Sequence, residues 1–284
     1  MLLSKDELNR RLKDIKLVVT DIDGTITNSM NMIGDETKDL VKKLHNKNIH
    51  FTFATQRIHS SIVNYIKELE IKSPVISANG ALIKDYKGQV FHKSVIFPKH
   101  VQKALNFADK YFVRVALCYN DEIVYTESNS VLRDYLYRLG TDYKLVDSYD
   151  KYVDDVIEII MMGNEKEVIK YIQRKMNYPF KFYLNAKYFR SSTRLGIYNL
   201  EIKRSKTNKR TGLKKLVKYL GLKKNQIVVI GDWYNDRELF EFGGLNVAPQ
   251  NAVAELKNKA HFITEKTNEE DGVSEFLKLL YDCV

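Results

Sequence analysis

The strongest structural signal in the sequence is the stretch Leu17-Val18-Val19-Thr20-Asp21-Ile22-Asp23-Gly24-Thr25. Its first four residues are apolar or β-branched and predict a short buried strand. Two aspartates follow with one residue between them, and Gly24 permits a sharp turn directly after the second. The stretch therefore predicts a strand that runs into a loop bearing two carboxylates.

Helical and strand spacing alternate on both sides of a central region of the chain. Up to residue 80 the pattern predicts strand, helix, strand, helix, strand, with the later strands at 49–53 and 75–77. The alternation returns from residue 213, with strands predicted at 227–230, 245–248 and 261–264. Short apolar strands separated by amphipathic helices are typical of α/β proteins. We therefore predict a doubly wound, mostly parallel sheet, which is a Rossmann-like core.

The central region mixes hairpins with helices, which is typical of an α+β domain with an antiparallel sheet. The predicted elements are hairpins at 82–91 and 113–125, helices at 101–111, 130–139 and 165–176, a strand at 156–162, and one or two strands within 180–200. We expect core segments at 1–84 and 198–284, with an inserted α+β cap domain at 85–197.

The composition of the 284-residue chain excludes several classes of protein. A hydrophobic content of 44% argues against wholesale disorder. The two cysteines cannot form a disulfide framework or a four-thiolate zinc site. No apolar run approaches the roughly 18 residues that a membrane span needs, and the first residues are too polar for a secretory signal. We therefore expect a cytoplasmic protein with no membrane partner, as a monomer or a weak homo-oligomer.

The net charge of +10 would attract polyanions such as nucleic acid or phosphorylated small molecules. Genome bias towards Lys, Ile, Asn and Tyr is the better explanation of the total charge. Seven of the thirteen residues in Lys203–Lys215 are basic. No aromatic side chains alternate with them, as they would in a protein that stacks on single strands. We therefore interpret this run as an ordinary solvated face around Lys209, and nucleic acid as an unlikely partner.

Polar residues follow the carboxyl ends of several predicted strands, where ligands bind in open α/β sheets. Brought together, these ends supply four carboxylates, one hydroxyl and one ammonium: Asp21, Asp23, Asp232, Asp236, Thr55 and Lys209. Four carboxylates repel one another unless a cation separates them. Hard oxygen ligands favour Mg²⁺ among the divalent cations. The sequence therefore predicts a magnesium site at the edge of the sheet where these strand ends meet. Such a site is suited to phosphoryl transfer.

The ordered motifs resemble those of the haloacid dehalogenase superfamily. The matching motifs are Asp21-Ile22-Asp23-Gly24-Thr25, Thr55, Lys209 and Gly231-Asp232-x-x-Asn235-Asp236. The stretches 76–81, 200–202, 247–252 and 270–273 resemble the Cof-type hydrolases of that superfamily, which carry a large α+β cap between the second and third motifs. The match covers nearly the whole core, and the inserted region matches only weakly.

The resemblance implies a role for each motif residue. Asp21 would be the nucleophile and a metal ligand, and Asp23 the general acid/base with its carbonyl on the metal. Asp232 would bind the metal, and Asp236 would support the metal shell. The implied phosphate- and substrate-binding residues are Ile22, Thr55, Gln56, Arg57, Lys209 and Asn235, of which Thr55 and Lys209 would hold the transferring phosphoryl group.

Two positions depart from the family pattern. Gln56 stands where a glycine is usual, and we expect it either to act in the substrate pocket, by narrowing it or by hydrogen bonding to the substrate, or to be a tolerated surface change. Arg210 stands where the glycine after the motif lysine is usual, so extra positive charge could favour a polyanionic substrate. Trp233 lies inside the fourth motif, and core packing at the domain junction is a slightly better prediction for it than substrate contact.

These features together predict a magnesium-dependent phosphatase that hydrolyses phosphate monoesters of small metabolites, with sugar phosphates as the first guess. The resemblance implies an aspartyl-phosphate intermediate. A phosphomutase with the same nucleophile is one alternative, although the short segment between Thr25 and Thr55 leaves no room for the cap that such mutases more often carry. A non-catalytic polyanion- or RNA-binding protein is the other alternative.

Overall fold

The computed structural model describes residues 2–127, 143–178, 182–191 and 194–284. Its strands are β1 Leu17–Thr20, β2 His50–Phe53, β3 Val75–Ser77, β4 Leu82–Lys84, β5 Val90–Lys93, β6 Arg114–Cys118, β7 Ile123–Tyr125, β8 Tyr143–Leu145, β9 Glu158–Gly163, β10 Leu184–Arg190, β11 Tyr198–Arg204, β12 Ile227–Ile230, β13 Leu245–Ala248 and β14 Phe262–Ile263. Its helices are α1 Lys5–Leu12, α2 Asp35–Asn46, α3 Val63–Glu68, α4 Pro98–Lys110, α5 Lys166–Asn177, α6 Lys209–Tyr219, α7 Arg237–Phe242, α8 Ala254–Lys259 and α9 Gly272–Cys283. The predicted helix at 130–139 lies outside the described residues.

The chain divides into two compact units. The first contains Met1–Gln56, Val63–Phe91 and Asn208–Val284, and the second contains Arg57–Ile62 and His92–Thr207. The boundaries expected from the sequence lie several residues earlier on both sides of the insertion. The difference on the C-terminal side follows from β11, because this strand pairs with β9 and β10 of the second unit.

A five-stranded sheet forms the centre of the first unit, with strand order β14-β13-β12-β1-β2. Every neighbouring pair in this sheet is parallel, which confirms the predicted Rossmann-like α/β core. All four residues of β1 are buried, as expected for an interior strand of a sheet covered on both faces. Leu17 and Val19 belong to a core cluster that also contains apolar residues of α6, α7 and α8, while α2 packs on β2 and α9.

Strand β3 departs from the predicted parallel arrangement. It pairs antiparallel with β4 in a separate three-stranded sheet, and the bridge between Ala54 and Ile76 is the parallel contact that it makes beside β2. The cause is local, because Ala78, Asn79 and Gly80 all have left-handed backbone conformations. Three such residues reverse the chain directly after Ser77 and bring β4 back along β3.

The second unit is built on a six-stranded sheet with strand order β10-β11-β9-β6-β7-β8. Its described pairs are antiparallel except for β7 with β8, which agrees with the predicted mixture of hairpins and helices. One face of the sheet shares a core with α4 and α5; members of this cluster include Val115, Leu117, Ile159, Met161, Val101, Leu105, Ile169 and Ile172. The unit therefore has a hydrophobic core of its own.

Part of the basic run 203–215 is not the solvated face that the sequence suggested. Lys203 is buried on β11, where its Nζ lies 2.9 Å from Oε1 of Glu158 and 3.0 Å from Oε2 of Glu201. Burial opposes the charge of this ammonium, but the two carboxylates raise its pKa. A buried cation of this kind needs paired anions, which only the strand register supplies.

Among the described residues, the helices are too short or too polar for any of them to cross a membrane.

Candidate active site

The carboxyl end of β1 lies beside the carboxyl end of β12. The backbone N–H of Asp21 donates to the carbonyl of Ile230 at 3.0 Å, so the parallel ladder continues for one residue past the strand. This pairing brings the loop after β1 next to the loop that begins at Gly231. The first and fourth sequence motifs therefore meet at one edge of the sheet. This edge is where ligands bind in open α/β sheets.

Lys209 lies between two buried carboxylates, those of Asp21 and Asp236. It is the first residue of α6 and its side chain is 1% exposed. Its Nζ lies 2.8 Å from Oδ2 of Asp21 and 2.7 Å from Oδ1 of Asp236. The side chain of Asn208 caps the helix by accepting from the N–H of Thr211 at 2.8 Å. The cap fixes the start of α6, and with it the origin of the Lys209 side chain.

Asp236 and Asp232 are each held by a neighbour within the first unit. Oδ2 of Asp236 accepts hydrogen bonds at 3.2 Å from the backbone N–H groups of Asp232 and Trp233. Oδ1 of Asp232 accepts from the hydroxyl of Thr25 at 2.6 Å. A Cβ on Gly24 would lie 2.6 Å from Oδ2 of Asp232, so a larger residue at this turn would displace that carboxylate.

Burial raises the pKa values of the three carboxyls that meet here. Burial and the charge of Asp236 raise the pKa of Asp21 to about 7, although Lys209 acts in the opposite direction. Burial raises the pKa of Asp232 to about 6, with the Thr25 hydroxyl opposing the change. Burial also raises the pKa of Asp236. For Lys209, burial favours the neutral amine, but Asp21 and Asp236 together raise its pKa.

The three carboxyl groups fit a divalent cation. One oxygen from each of Asp21, Asp232 and Asp236 lies within 4.8 Å of the other two, and all three residues are buried. Oδ1 of Asp21 is buried and has no hydrogen-bond partner among the described residues. The single ammonium of Lys209 cannot neutralise the negative charge of three carboxylates. A set of ligands made only of oxygen atoms favours a hard cation such as Mg²⁺.

The other residues of the first motif lie beside this group. Asp23 is half-buried, and its charge contributes to the raised pKa of Asp21. Ile22 is fully buried, and its carbonyl accepts from the N–H of Ile26 at 3.1 Å. The sequence prediction did not assign Thr25 a separate role, yet this residue orients Asp232. In the sequence, the only indication of this role was the position of Thr25 in the first motif.

The second motif is held at the end of β2. Thr55 is fully buried; its N–H donates to the carbonyl of Ile76 at 2.9 Å, and its own carbonyl accepts from Asn79 at 2.9 Å. Gln56 is exposed, whereas Arg57 is buried. The exposed side chain of Gln56 is compatible with either of its two predicted roles. Asn235, in the fourth motif, has a buried Oδ1 with no hydrogen-bond partner in the part of the chain that is described.

The prediction that Trp233 packs in the core is wrong. Its side chain is 55% exposed, although it lies between two buried residues of the motif, Asp232 and Asp236. The reason is that the loop points its backbone N–H groups at Asp236 and leaves the adjacent side chain outside.

Comparisons with known proteins agree with this geometry. A family model described as haloacid dehalogenase-like hydrolase matches residues 18–277. Phosphatase YwpJ of Bacillus subtilis is 26% identical, over 94% of this chain and 100% of the relative. A second B. subtilis relative, 5-amino-6-(5-phospho-D-ribitylamino)uracil phosphatase YitU, is 27% identical, over 92% of this chain and 96% of its own length.

A solved structure supports the fold over the same length of chain. The crystal structure of a haloacid dehalogenase-like hydrolase from Bacteroides thetaiotaomicron matches with a TM-score of 0.83 and 24% identity, covering 93% of this chain and 98% of that one. The family match extends across both compact units and includes all four sequence motifs. The chain therefore belongs to the haloacid dehalogenase-like hydrolase family, as its resemblance to the Cof-type members predicted.

Proposed function

We propose that this enzyme is a magnesium-dependent phosphatase that hydrolyses phosphate monoesters of small metabolites through an aspartyl-phosphate on Asp21. The observation that carries the proposal is the buried group of Asp21, Asp232, Asp236 and Lys209 at one edge of the parallel sheet. Family membership and the phosphatase relatives support the coarser statement that the chain is a phosphoric monoester hydrolase.

Asp21, Asp232 and Asp236 are the side chains that would hold Mg²⁺, with the carbonyl of Asp23 as a further ligand. When bound, the cation neutralises charge on the phosphoryl oxygens. Lys209 and the Thr55 hydroxyl would bind the same oxygens. The chain thereby supplies positioning and charge compensation, which are the main requirements of phosphoryl transfer.

The reaction then runs in two steps. A carboxylate oxygen of Asp21 forms a bond to phosphorus as the ester P–O bond breaks, and Asp23 donates its proton to the leaving alkoxide. Water then attacks the aspartyl-phosphate and loses a proton to Asp23. This second step releases inorganic phosphate and restores the Asp21 carboxylate and the Asp23 acid.

Sugar phosphates remain the first candidate substrates. The name of the relative YitU adds a second candidate, a phosphorylated sugar alcohol that carries a pyrimidine. Nucleotide, flavin and pyridoxal phosphates follow. The proposal includes two further points. The second unit acts as a cap, and the substrate is contacted by Gln56, Arg57 and Asn235.

Two other functions predict different outcomes. A phosphomutase would return phosphate to its substrate rather than release it. A polyanion-binding protein would bind RNA in a salt-sensitive way that survives loss of Asp21. The buried group of three carboxylates and a lysine favours the phosphatase, because a polyanion-binding surface has no use for such a group.

Phosphate release from p-nitrophenyl phosphate and from a panel of metabolite phosphates tests the proposal. We expect turnover with Mg²⁺, none with EDTA, and a loss of at least about a thousandfold in Asp21→Asn, because the nucleophile is removed. A matched control is Asp39→Asn, which changes an exposed carboxylate on α2. Turnover that survives in Asp21→Asn would refute the proposed nucleophile, and turnover in EDTA would refute the metal requirement.

A further inference from the structure

Two large aromatic side chains project from the fourth motif. Trp233 is 55% exposed and Tyr234 is 58% exposed. Their ring centroids lie 5.3 Å apart with an interplanar angle of 73°, so the two rings contact each other edge to face. Large aromatic rings are normally at least partly covered, and a contiguous exposed pair commonly marks a binding site.

The backbone beneath the two rings is fixed to the candidate site. The N–H of Trp233 donates to Asp236, and the carbonyl of Trp233 accepts from the N–H of Asp236 at 2.9 Å. The carbonyl of Asp232 accepts from the N–H of Val253 at 2.9 Å. Trp233 and Tyr234 therefore stand on the same short loop as two carboxylates of the acidic group and Asn235. Because Trp233 and Tyr234 directly follow Asp232 in the chain, we expect the part of a ligand beyond its bound phosphate to pass close to the rings.

The chemistry of the pair selects a class of ligand. An indole and a phenol offer flat apolar faces, and Trp stacks well with heteroaromatic rings. A hydroxyl-rich chain gains little from such faces, because its hydroxyls would lose water without gaining hydrogen bonds. Neither ring is charged, so the pair adds no attraction for phosphate itself.

We propose that Trp233 and Tyr234 form an aromatic subsite that binds a planar heteroaromatic ring carried by the leaving group of the substrate. This inference rests on the proposed phosphatase function, which it extends from phosphate monoesters in general to those with such a ring. The phosphate would lie at the acidic group, and the ring would stack on Trp233.

Two matched pairs of esters test the subsite by kinetics. Uridine 5′-phosphate and ribose 5-phosphate differ by the base, and riboflavin 5′-phosphate and ribitol 5-phosphate differ by the flavin. We expect a higher kcat/KM for the ring-bearing member of at least one pair. In Trp233→Ala the ratio of the two kcat/KM values should fall about tenfold, since stacking on an aromatic side chain contributes ~1–3 kcal/mol.

Two control variants make this result specific. Trp233→Phe keeps a flat ring and should retain most of the ratio. Tyr86→Ala removes a half-exposed tyrosine elsewhere in the first unit and should leave the ratio unchanged. A ring-bearing preference that persists in Trp233→Ala would overturn the inference, as would equal kcat/KM values for both members of both pairs in a wild-type enzyme that hydrolyses them.

A binding measurement separates failure of the subsite from failure of the phosphatase proposal. Trp233 is the only tryptophan of the chain, so its fluorescence reports directly on the subsite. In Asp21→Asn with Mg²⁺, uridine 5′-phosphate or riboflavin 5′-phosphate should quench the emission saturably, whereas ribose 5-phosphate and ribitol 5-phosphate should not. Equal effects of the ring-bearing and ring-free esters in both pairs, or no effect of any of the four, would overturn the subsite. Quenching without hydrolysis in the wild-type enzyme would retain the subsite and refute the proposed phosphatase function.

Discussion

At the scale of one residue, Lys209 shows why a substitution in the candidate site lowers the stability of the fold. Its ammonium contacts two buried carboxylates, and its own side chain is almost completely buried. Removing one partner of a buried ion pair leaves the other charge without compensation, which costs about 3–5 kcal/mol. The same residue therefore stabilises the fold and compensates charge at the site.

Replacing Lys209 by Met should lower the free energy of unfolding by about 3 kcal/mol in the presence of EDTA, because Asp21 and Asp236 lose their shared cation. Urea unfolding measures this difference. Lys218→Met is the matched control, since Lys218 is an exposed lysine on the same helix, and a change within about 0.5 kcal/mol is expected there. Equal effects of the two substitutions would contradict the structural role assigned to Lys209.

A second prediction for a single residue concerns Glu158 and the pH dependence of the free energy of unfolding. Burial raises its pKa from 4.5 to about 7, although Lys203 opposes the change. The folded protein then binds more protons than the unfolded chain between these two values, so the contribution of Glu158 to stability falls as the pH rises through this window. It is fully present below about 4.5 and is lost above about 7.

Glu158→Gln should remove this part of the pH dependence, while Lys203 keeps Glu201 as a partner. Urea unfolding at pH 5, 6 and 7 in EDTA gives the slope for each protein. Subtraction of the two curves cancels the contributions of the other carboxyls whose pKa values are raised, which act in the same direction: Asp21, Asp232, Asp236 and Asp271. Parallel curves for the two proteins would show that Glu158 does not titrate in this range.

At the scale of the element, the start of α6 is fixed by a turn from another part of the chain. Gly80 has a φ of +89°, and a Cβ built on it would lie 2.2 Å from the carbonyl oxygen of Asn208. Asn208 is the N-cap of the helix that begins with Lys209. The turn after β3 therefore lies directly against the start of the helix that carries Lys209.

Gly80→Ala should displace Asn208 and with it Lys209, and we expect a loss of about 3 kcal/mol or more together with reduced turnover. Gly88→Ala is a close control, because Gly88 has a φ of +91° but open space around it: a Cβ there would lie 3.9 Å from Cε of Lys84. That variant should lose only the ~1–2 kcal/mol of a left-handed backbone. Equal stability of the two variants would mean that the approach to Asn208 is unimportant.

At the scale of the whole molecule, two units with separate hydrophobic clusters share one chain. Chains with more than one core commonly depart from two-state unfolding. Trp233 lies in the first unit, so its fluorescence follows that unit, whereas far-UV circular dichroism follows both. We expect the two signals to give different midpoints in urea. Coincident curves would show that the units unfold as one cooperative body.

The parallel core could be predicted from the sequence because its signals are local. Its strands are short and rich in apolar residues, and residues such as Asp21 after β1 and Gly231 after β12 mark where strands end. The bounds of β3 were predicted correctly, but its antiparallel pairing with β4 was not, since the left-handed residues 78–80 that turn the chain back give only a weak signal in sequence. The second unit showed hairpins and helices, but the end of its last strand depends on pairing that sequence does not display.

The sequence by itself determined the family, the α/β core and the carboxylate and lysine residues of the site, because these depend on residue type and order along the chain. Only the tertiary structure decided which atoms meet. It paired Lys209 with Asp21 and Asp236, set Thr25 against Asp232, buried Lys203 between two glutamates and left Trp233 exposed. The physical reason is that burial and charge pairing depend on contacts between residues far apart in the chain, whereas strand and motif signals depend on neighbours.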